Sequence, residues 1–216
     1  MLIEKMNDFF ANRIEKYEEQ MLTRVEGCRE AYTMLPTLIP KGCKHLLDLG
    51  CGTGLELEKV FLEFPDIQVT GIDLTQSMLD QLKEKHAGQS LHLICGSYFD
   101  VEFADHFFDC VISFQTMHHF SHEAKIGLYK KIFRFLKPDG VYIECDYMVE
   151  TQEEEDSHYM EYNRIINEMH ISEGEFYHYD TPCTMDNQIT MLKAAGFVGV
   201  TKKFRMGNTT LMIASK

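Results

Sequence analysis

Three glycines at alternate positions in the stretch LLDLGCGTG are the residues most clearly spaced for chemistry. Gly50, Gly52 and Gly54 follow a short apolar run, and Asp48 precedes them. A glycine turn between a strand and a helix lets a ligand approach the backbone and meet free N–H groups. Dinucleotide-binding turns have the spacing G-x-G-x-x-G, but Leu55 stands where their last glycine would be. The spacing therefore argues against NAD.

Acidic residues around this turn indicate the charge that its ligand should carry. Glu56 and Glu58 fall in the first turn of the next predicted helix, which is unfavourable for a pyrophosphate. Asp48 suits a ligand with an amino group or a positive charge. Asp73 ends the next predicted strand, about 20 residues further on, where a carboxylate can bind both ribose hydroxyls. The expected ligand has a ribose and a cationic end.

The segments DLGCGTG and GID resemble the first and second motifs of the class I S-adenosylmethionine-dependent methyltransferase family. The later segments LKPDG and AAGF are similar to segments that often precede the fifth and sixth strands of that family. The resemblance covers most of the chain and is specific at the first motif. It implies S-adenosyl-L-methionine as the cofactor.

The resemblance also implies a set of cofactor-binding residues at the ends of neighbouring strands and in an N-terminal helix. These are Asp48, Gly50, Cys51, Gly52, Thr53, Gly54, Asp73, Leu74, Met78, Ser97, Tyr98, Gln115 and Tyr17. In this assignment the glycine turn lines the methionyl group. Asp73 holds the ribose, and Leu74 and Met78 flank the adenine.

Two of these assignments concern positions where the family pattern is weaker. The family usually has an Asp after the third strand that binds the adenine amino group, whereas this chain has Ser97 followed by Tyr98. A serine hydroxyl can accept a hydrogen bond, and Tyr98 can stack, bind through its hydroxyl or simply pack. Tyr17 lies in FFANRIEKYEEQM, which resembles a helix that covers the cofactor in many small-molecule members. The alternative for that helix is amphipathic packing on the sheet.

His118 and His119, in the segment FQTMHHFSHE, are the candidate catalytic residues. They follow the fourth predicted strand. Together with Gln115, they lie where the end of that strand opens into the ligand crevice. A base is needed only if the methyl acceptor must lose a proton, and a histidine has a suitable pKa. The alternative is that both histidines pack or contact the cofactor. With His122 they could suggest a metal, but without further ligands at fixed spacing we expect none.

The segment EFYHYDTPCT contains the candidate substrate-binding residues Tyr177, His178 and Tyr179. Side chains with polar tips are dense here, and Pro182 restrains the chain before the next predicted helix. We therefore predict the face of a lid over the substrate. The alternative is ordinary packing against a helix.

The elements that must position these residues alternate between strand and helix. Apolar runs such as KHLLDLG and FFDCVISF predict buried strands, and two amphipathic runs predict helices that begin after Thr75 and Ser121. This alternation is typical of an α/β fold with a parallel sheet covered on both faces. FVGVTKKFR and TTLMIASK predict a terminal antiparallel hairpin. The resemblance implies a Rossmann-like three-layer sandwich with a seven-stranded, mostly parallel sheet of order 3-2-1-4-5-7-6.

We predict a single methyltransferase domain over residues 1–216 with two long segments outside the alternating pattern. Residues from about 1 to 40 would form an N-terminal helical cap. Residues from about 148 to 183 would form a lid insertion after the fifth strand. Long insertions at strand ends often carry specificity.

The overall charge and composition narrow the choice of partners. Lys plus Arg number 21 and Asp plus Glu number 34 in the 216 residues, so the net charge is −13. That charge disfavours nucleic acid and anionic membranes. No apolar run approaches the roughly 20 residues of a membrane helix, and the start does not resemble a signal peptide. Seven scattered cysteines indicate reduced thiols and a cytoplasmic protein.

The sequence thus predicts an S-adenosylmethionine-dependent methyltransferase that acts on a small, neutral or cationic metabolite by in-line methyl transfer. We expect a monomer or homodimer. Two alternatives remain open. One is an S-adenosylmethionine-binding enzyme with other chemistry, such as that of the carboxy-S-adenosylmethionine synthases. The other is a non-enzymatic cofactor-binding regulator.

Overall fold

The structure is a computed structural model that describes residues 3–171 and 174–216. The predicted N-terminal cap includes residues 1 and 2, and the predicted lid includes residues 172 and 173. These four residues lie outside the described residues. In the described part of the chain, no helix combines the length and the apolar character needed to cross a bilayer.

In the described residues, the strands form one mixed sheet of eight strands. In chain order they are β1 His45–Leu49, β2 Gln68–Asp73, β3 Ser90–Cys95, β4 Phe108–Phe114, β5 Leu136–Val149, β6 Cys183–Thr184, β7 Gly199–Met206 and β8 Thr209–Ser215. The order is β3-β2-β1-β4-β5-β8-β7, and β6 pairs with β5 outside this path. Only β8 runs antiparallel to its neighbours β5 and β7.

This arrangement confirms the predicted α/β class, the strand order and the terminal hairpin. The predicted sixth and seventh strands are β7 and β8. The sequence did not predict β6, which has two residues and pairs in parallel with the end of β5 at Met148 and Val149. A pair of residues is too short to show the alternation by which strands are identified.

The helices are α1 Met6–Ala11, α2 Ile14–Thr23, α3 Cys28–Leu38, α4 Leu57–Glu63, α5 Gln76–Lys85, α6 His122–Phe135, α7 Gln152–Met169 and α8 Met185–Ala194, with a 3₁₀ turn at Met117–His119. Ser121 caps α6 as predicted, because its side chain accepts a hydrogen bond from the Ala124 N–H. About half of the predicted lid segment is α7, which begins with a capping box between Thr151 and Glu154.

The hydrophobic core lies on both faces of the sheet, because successive residues of a strand point to opposite sides. On β1, Leu46 packs with residues of α3 and α4. Leu47 and Leu49 pack with residues of α6 and α8 on the other face. The result is a three-layer sandwich. All seven cysteines are free thiols.

The N-terminal segment and the segment after α7 contact each other. The Met6 N–H donates to the Phe176 carbonyl at 3.0 Å, and the His178 N–H donates to the Glu4 carbonyl at 2.9 Å. The rings of Phe9 and His178 stack with centroids 3.4 Å apart. The two segments that lie outside the alternating pattern therefore cover the carboxyl ends of the strands together.

Candidate active site

The glycine turn begins where β1 ends. Gly50, Gly52 and Gly54 have φ values of +74°, +46° and +70°. This left-handed region strains residues that carry a Cβ. A Cβ on Gly50 would also lie 2.7 Å from the Oγ1 atom of Thr116, which follows β4. The glycine at position 50 is therefore required both by its backbone conformation and by the close approach of a neighbouring strand end.

Asp73, at the end of β2, is fixed against this turn. Its Oδ2 atom accepts a hydrogen bond from the Gly52 N–H at 3.0 Å, and its Oδ1 atom accepts one from the Thr75 N–H at 2.8 Å. Burial raises the pKa of Asp73, and these two N–H groups oppose that rise. Thr75 stands at the start of α5 as predicted, but its side chain makes no capping hydrogen bond.

A narrow cleft of about 40 Å³ runs along the turn. It is lined by Met6, Phe10, Tyr17, Gly50, Gly52, Asp73, Leu74, Thr75, Met78, Tyr98, Phe114, Gln115 and Thr116. Eight predicted cofactor residues are in this set. The lining omits Asp48, Cys51, Thr53, Gly54 and Ser97. The Ser97 hydroxyl instead accepts a hydrogen bond from the Phe99 N–H at 3.2 Å.

Tyr98 stands at the position for which the sequence left three roles open. Its hydroxyl lies 2.9 Å from the Thr116 Oγ1 atom, and only 7% of the residue is exposed. Tyr98 therefore both packs in the core and presents part of its surface to the narrow cleft.

Two buried acids lie under the glycine turn. Asp48 is fully buried and Glu56 is 5% exposed. Neither Asp48 oxygen atom has a hydrogen-bond partner among the described residues. Burial raises the pKa of Asp48, and Glu56 beside it raises that pKa further. Burial also raises the pKa of Glu56 to about 7. Without a cationic partner, these carboxyl groups favour their neutral forms.

A larger space, which we call the histidine cavity, has a volume of about 450 Å³. It is lined by Phe9, Phe10, Arg13, Tyr17, Gln20, Met21, Arg24, Val25, Glu26, Gln115, His118, His119, Tyr147, His178, Asp180, Asn208 and Thr209. Phe10, Tyr17 and Gln115 line both spaces. These three side chains therefore separate the narrow cleft from the histidine cavity.

His118 is held by a buried carboxylate. Its Nδ1 atom lies 2.6 Å from the Oδ1 atom of Asp146 on β5, and its Nε2 atom lies 3.5 Å from the Oδ1 atom of Asp180. Burial opposes a charge on the imidazole, but Asp146 outweighs burial and raises the pKa of His118. The pair fixes both the orientation of the ring and the position of its hydrogen.

His119 has a different environment. Its Nδ1 atom lies 3.1 Å from the Tyr179 carbonyl oxygen and 3.4 Å from the Asp180 Oδ1 atom. Burial lowers the pKa of His119 well below the usual value, and His118 lowers it further. His122 does not join these two histidines. Its Nε2 atom lies 2.7 Å from Glu155 on α7.

The three predicted substrate-binding residues do not all face the cavity. His178 lines it, with Asp180 two residues further on, but Tyr177 and Tyr179 do not. Tyr177 pairs through its backbone with Lys5, and the ring of Tyr179 stacks on Tyr162 of α7 at 5.5 Å. Alternate residues of an extended segment point to opposite sides, and this pairing directs His178 and Asp180 inward.

The structure adds residues that the sequence did not assign to the site. Asp146 lies inside the apolar run of β5, and no local pattern separates it from a structural acid. Arg13, between α1 and α2, and Arg24, directly after α2, line the histidine cavity, although the sequence predicted a neutral or cationic acceptor. Arg13 forms an ion pair with Glu4 at 2.7 Å, which offsets its charge.

Comparison with known sequences identifies the central part of the chain. A family model described as "Methyltransferase domain" matches residues 46–140. The malonyl-[acyl-carrier protein] O-methyltransferase of Bacillus cytotoxicus is 28% identical over 136 residues, which are 62% of this chain and 43% of that protein. The ubiquinone/menaquinone biosynthesis C-methyltransferase of Desulfotalea psychrophila is 27% identical over 138 residues, which are 64% of this chain and 55% of that protein. The chain spans only 18%, 34% and 43% of three curated relatives that it matches.

Solved structures share the fold over nearly the whole chain. The 1,6-didemethyltoxoflavin-N1-methyltransferase of Burkholderia thailandensis superposes with a TM-score of 0.67 at 18% identity, over 98% of this chain and 87% of that chain. Human N-acetylserotonin methyltransferase superposes with a TM-score of 0.62 at 16% identity, over 86% of this chain and 51% of that chain. At such identities the similarity establishes the fold alone.

Proposed function

We propose that the chain is a class I S-adenosylmethionine-dependent methyltransferase that transfers the methyl group of S-adenosyl-L-methionine to a small metabolite. The observation that carries the proposal is the glycine turn with Asp73 fixed against it. Three glycines with positive φ leave the backbone open to a ligand. Asp73 keeps lone pairs for a ribose, although each of its oxygens already accepts one N–H group.

The donor groups around the narrow cleft suit this cofactor. Asp73 would hold the ribose hydroxyls, and Leu74 and Met78 would flank the adenine. Asp48 and Glu56 lie under the glycine turn without a cationic partner among the described residues. The amino group of the methionyl moiety would bring a positive charge to these carboxyl groups. The remaining predicted residues, Cys51, Thr53, Gly54 and Ser97, would support the turn and the adenine end from outside the lining.

The common wall of the two spaces is the proposed place of methyl transfer. Phe10, Tyr17 and Gln115 face both the narrow cleft and the histidine cavity. The cofactor's methyl sulfonium supplies an activated methyl group when it is bound. The chain's contribution is to align the acceptor with that group and to exclude water. His118 and His119 stand on the cavity side of this wall, where either would contact the acceptor and could remove its proton.

The acceptor proposed is small because the histidine cavity is about 450 Å³, the size range of a metabolite site. The net charge of −13 disfavours nucleic acid. His178 would bind the acceptor directly, and Tyr177 and Tyr179 would hold its segment in place. The arginines that line the cavity widen the proposal to acceptors with a negative group. We propose a monomer or homodimer that acts in the cytoplasm.

Calorimetry with S-adenosyl-L-methionine and with its demethylated product tests the cofactor. We expect a roughly micromolar dissociation constant, about −8 kcal/mol, and no binding of NAD. An absence of heat and of any thermal shift at millimolar ligand would contradict the proposal. Release of the demethylated product across a panel of metabolites then tests the transfer. Cofactor binding without turnover of any acceptor would favour the non-enzymatic alternative.

A further inference from the structure

Three potential ligand atoms converge in the histidine cavity at distances that do not suit hydrogen bonds. The Asp180 Oδ1 atom lies 3.5 Å from the His118 Nε2 atom and 3.4 Å from the His119 Nδ1 atom. Ligand atoms from these three residues lie within 4.8 Å of one another. Hydrogen bonds to a carboxylate are about 2.7–2.9 Å long. Two ligands of a tetrahedral ion with bonds of 2.0–2.1 Å lie about 3.3 Å apart.

Asp180 presents an oxygen atom that the protein leaves without a partner. Its Oδ1 atom is buried and accepts no hydrogen bond from the described residues, although 40% of the side chain is exposed. A buried polar atom without a partner costs about 1–3 kcal/mol. The carboxylate is therefore aimed at a position where a bound group would satisfy it.

His118 is already arranged as a metal ligand usually is. Its Nδ1 atom donates to the buried Asp146 carboxylate at 2.6 Å, which leaves the Nε2 lone pair directed at Asp180. Imidazole ligands of metals usually donate their other N–H to a carboxylate or carbonyl in this way. His119 also contacts the Tyr179 carbonyl through Nδ1. An ion on Nδ1 would replace that bond, and one on Nε2 would keep it.

We propose that His118, His119 and Asp180 bind a divalent first-row transition metal ion in the histidine cavity. Two imidazoles and one carboxylate suit Zn²⁺, Fe²⁺ or Co²⁺ rather than Mg²⁺ or Ca²⁺. Three protein ligands leave a coordination position for another molecule. The sequence did not indicate this site, because it pointed to His122 as the third ligand and gave no reason to join Asp180 to the histidine pair.

The open coordination position faces the cavity in which the acceptor is proposed to bind. An acceptor with an oxygen or nitrogen donor would be held there, and the ion would lower the pKa of its proton. In this role the ion replaces the two histidines as the group that favours loss of the acceptor's proton, and the role rests on the proposed function. Binding of the ion itself does not, because it depends only on the three side chains.

A second cluster offers an internal control. His122, Glu155 and Cys183 also bring ligand atoms within 4.8 Å. However, the Lys125 ammonium lies 3.0 Å from the Cys183 sulfur, and Glu155 already accepts hydrogen bonds from Asn187. The lysine supplies the positive charge that an ion would bring. We therefore expect no metal there.

Titration of the chelator-treated full chain with Zn²⁺, followed by calorimetry and metal analysis after dialysis, tests the site. We expect one Zn²⁺ per chain.

Asp146→Asn should weaken Zn²⁺ binding by about 10–100-fold, as loss of a supporting carboxylate does, and Asp180→Asn should weaken it more. Asp139→Asn, an exposed acid at the far end of β5, and His122→Asn should bind as the wild type does. Co²⁺ absorption in the visible range should appear in the same variants that retain Zn²⁺.

Absence of Zn²⁺ from the wild type would overturn the proposal, as would equal binding by Asp180→Asn or loss of binding in His122→Asn alone. Thermal melts show whether each variant is folded, and Asp180 lies in a segment outside helices and strands, where the substitution removes only a charge. Calorimetry with S-adenosyl-L-methionine in the presence of chelator is a separate measurement. Cofactor binding without Zn²⁺ binding would reject the metal site and leave the proposed function in place, and the reverse result would reject only the proposed function.

Discussion

The narrow cleft and the histidine cavity share Phe10, Tyr17 and Gln115, but the chain builds them in different ways. The polar side of the cleft comes from the ends of adjacent strands, where β1 pairs with both β2 and β4. The cavity combines the N-terminal helices, the 3₁₀ turn after β4, the end of β5, the segment after α7 and the terminal hairpin. The cleft therefore follows from the order of the strands, while the cavity depends on contacts between distant segments.

The two spaces also differ in their electrostatics. The cleft lies above the buried acids Asp48 and Glu56, and Asp73 is fixed by backbone N–H groups. The cavity is lined by histidines, arginines and two carboxylates, Glu26 and Asp180. The Asp180 Oδ1 atom has no hydrogen-bond partner among the described residues. The comparison indicates one region suited to a fixed cationic cofactor and another whose ligand depends on side chains that distant segments bring together.

The largest expected effect separates two glycines within the cleft. Gly50→Ala should lower the free energy of unfolding by about 2–5 kcal/mol, from left-handed strain of about 1–2 kcal/mol and a clash of about 1–3 kcal/mol. The clash is with Thr116, 2.7 Å from the added Cβ. Gly52→Ala is the matched control, because its Cβ would meet Tyr17 only at 3.6 Å. Urea denaturation measures both, and equal losses would contradict the packing argument.

Asp73→Ala should weaken binding of S-adenosyl-L-methionine by about 1–3 kcal/mol. The substitution removes the carboxylate that would accept hydrogen bonds from the ribose hydroxyls, and a buried polar group without a partner costs about this much. Asp180→Asn, in the histidine cavity, should leave that affinity unchanged. Calorimetry measures both variants, and thermal melts confirm that each is folded. If Asp180→Asn weakened cofactor binding as much as Asp73→Ala, the two regions could not be treated as separate sites.

The buried acid Glu56 should make stability depend on pH. Burial raises its pKa in the folded state from 4.5 to about 7, so its stabilising contribution is complete below about pH 4.5 and is lost as the pH rises through 7. Between pH 5.5 and 8 the unfolding free energy should fall on the order of 1–2 kcal/mol, at about 1.36 kcal/mol per pKa unit. Glu56→Gln should reduce this slope.

Glu63→Gln, an exposed acid at the end of the helix α4 that Glu56 precedes, is the control for that experiment. Urea denaturation at several pH values gives the slopes. If the unfolding free energy of the wild type rose over this pH range and that of Glu56→Gln did not, the predicted direction of the effect would be wrong. A slope shared by wild type and Glu56→Gln would assign the pH dependence to other groups.

The smallest expected effect concerns the cover over both spaces. The narrow cleft measures only about 40 Å³, and we expect the N-terminal helices to move when a cofactor enters. Phe9→Ala removes a stack on His178 of about 0.5–1.5 kcal/mol. It should speed hydrogen exchange at the His178 N–H, which donates to Glu4, without changing exchange in β1. Equal acceleration in β1 would indicate a global loss of stability instead.

How much of the narrow cleft and of the histidine cavity could be predicted depends on how the chain builds each of them. Strand order, the terminal hairpin and the residues of the glycine turn came from local patterns and from the family resemblance. Tyr17 and Gln115, which the resemblance assigns to cofactor binding, line the narrow cleft. Ser97 does not, because its hydroxyl accepts a hydrogen bond from a backbone N–H within its own turn.

By itself the sequence determined the elements and the turn, because apolar periodicity and glycine spacing act over a few neighbouring residues. Only the tertiary structure decided which distant side chains meet. Asp146 joins His118 because β4 and β5 are adjacent in the sheet. Asp180 joins both histidines because pairing with the N-terminal segment turns His178 and Asp180 inward and Tyr177 and Tyr179 outward. Local sequence does not encode such contacts, since they arise from packing between segments that are far apart in the chain.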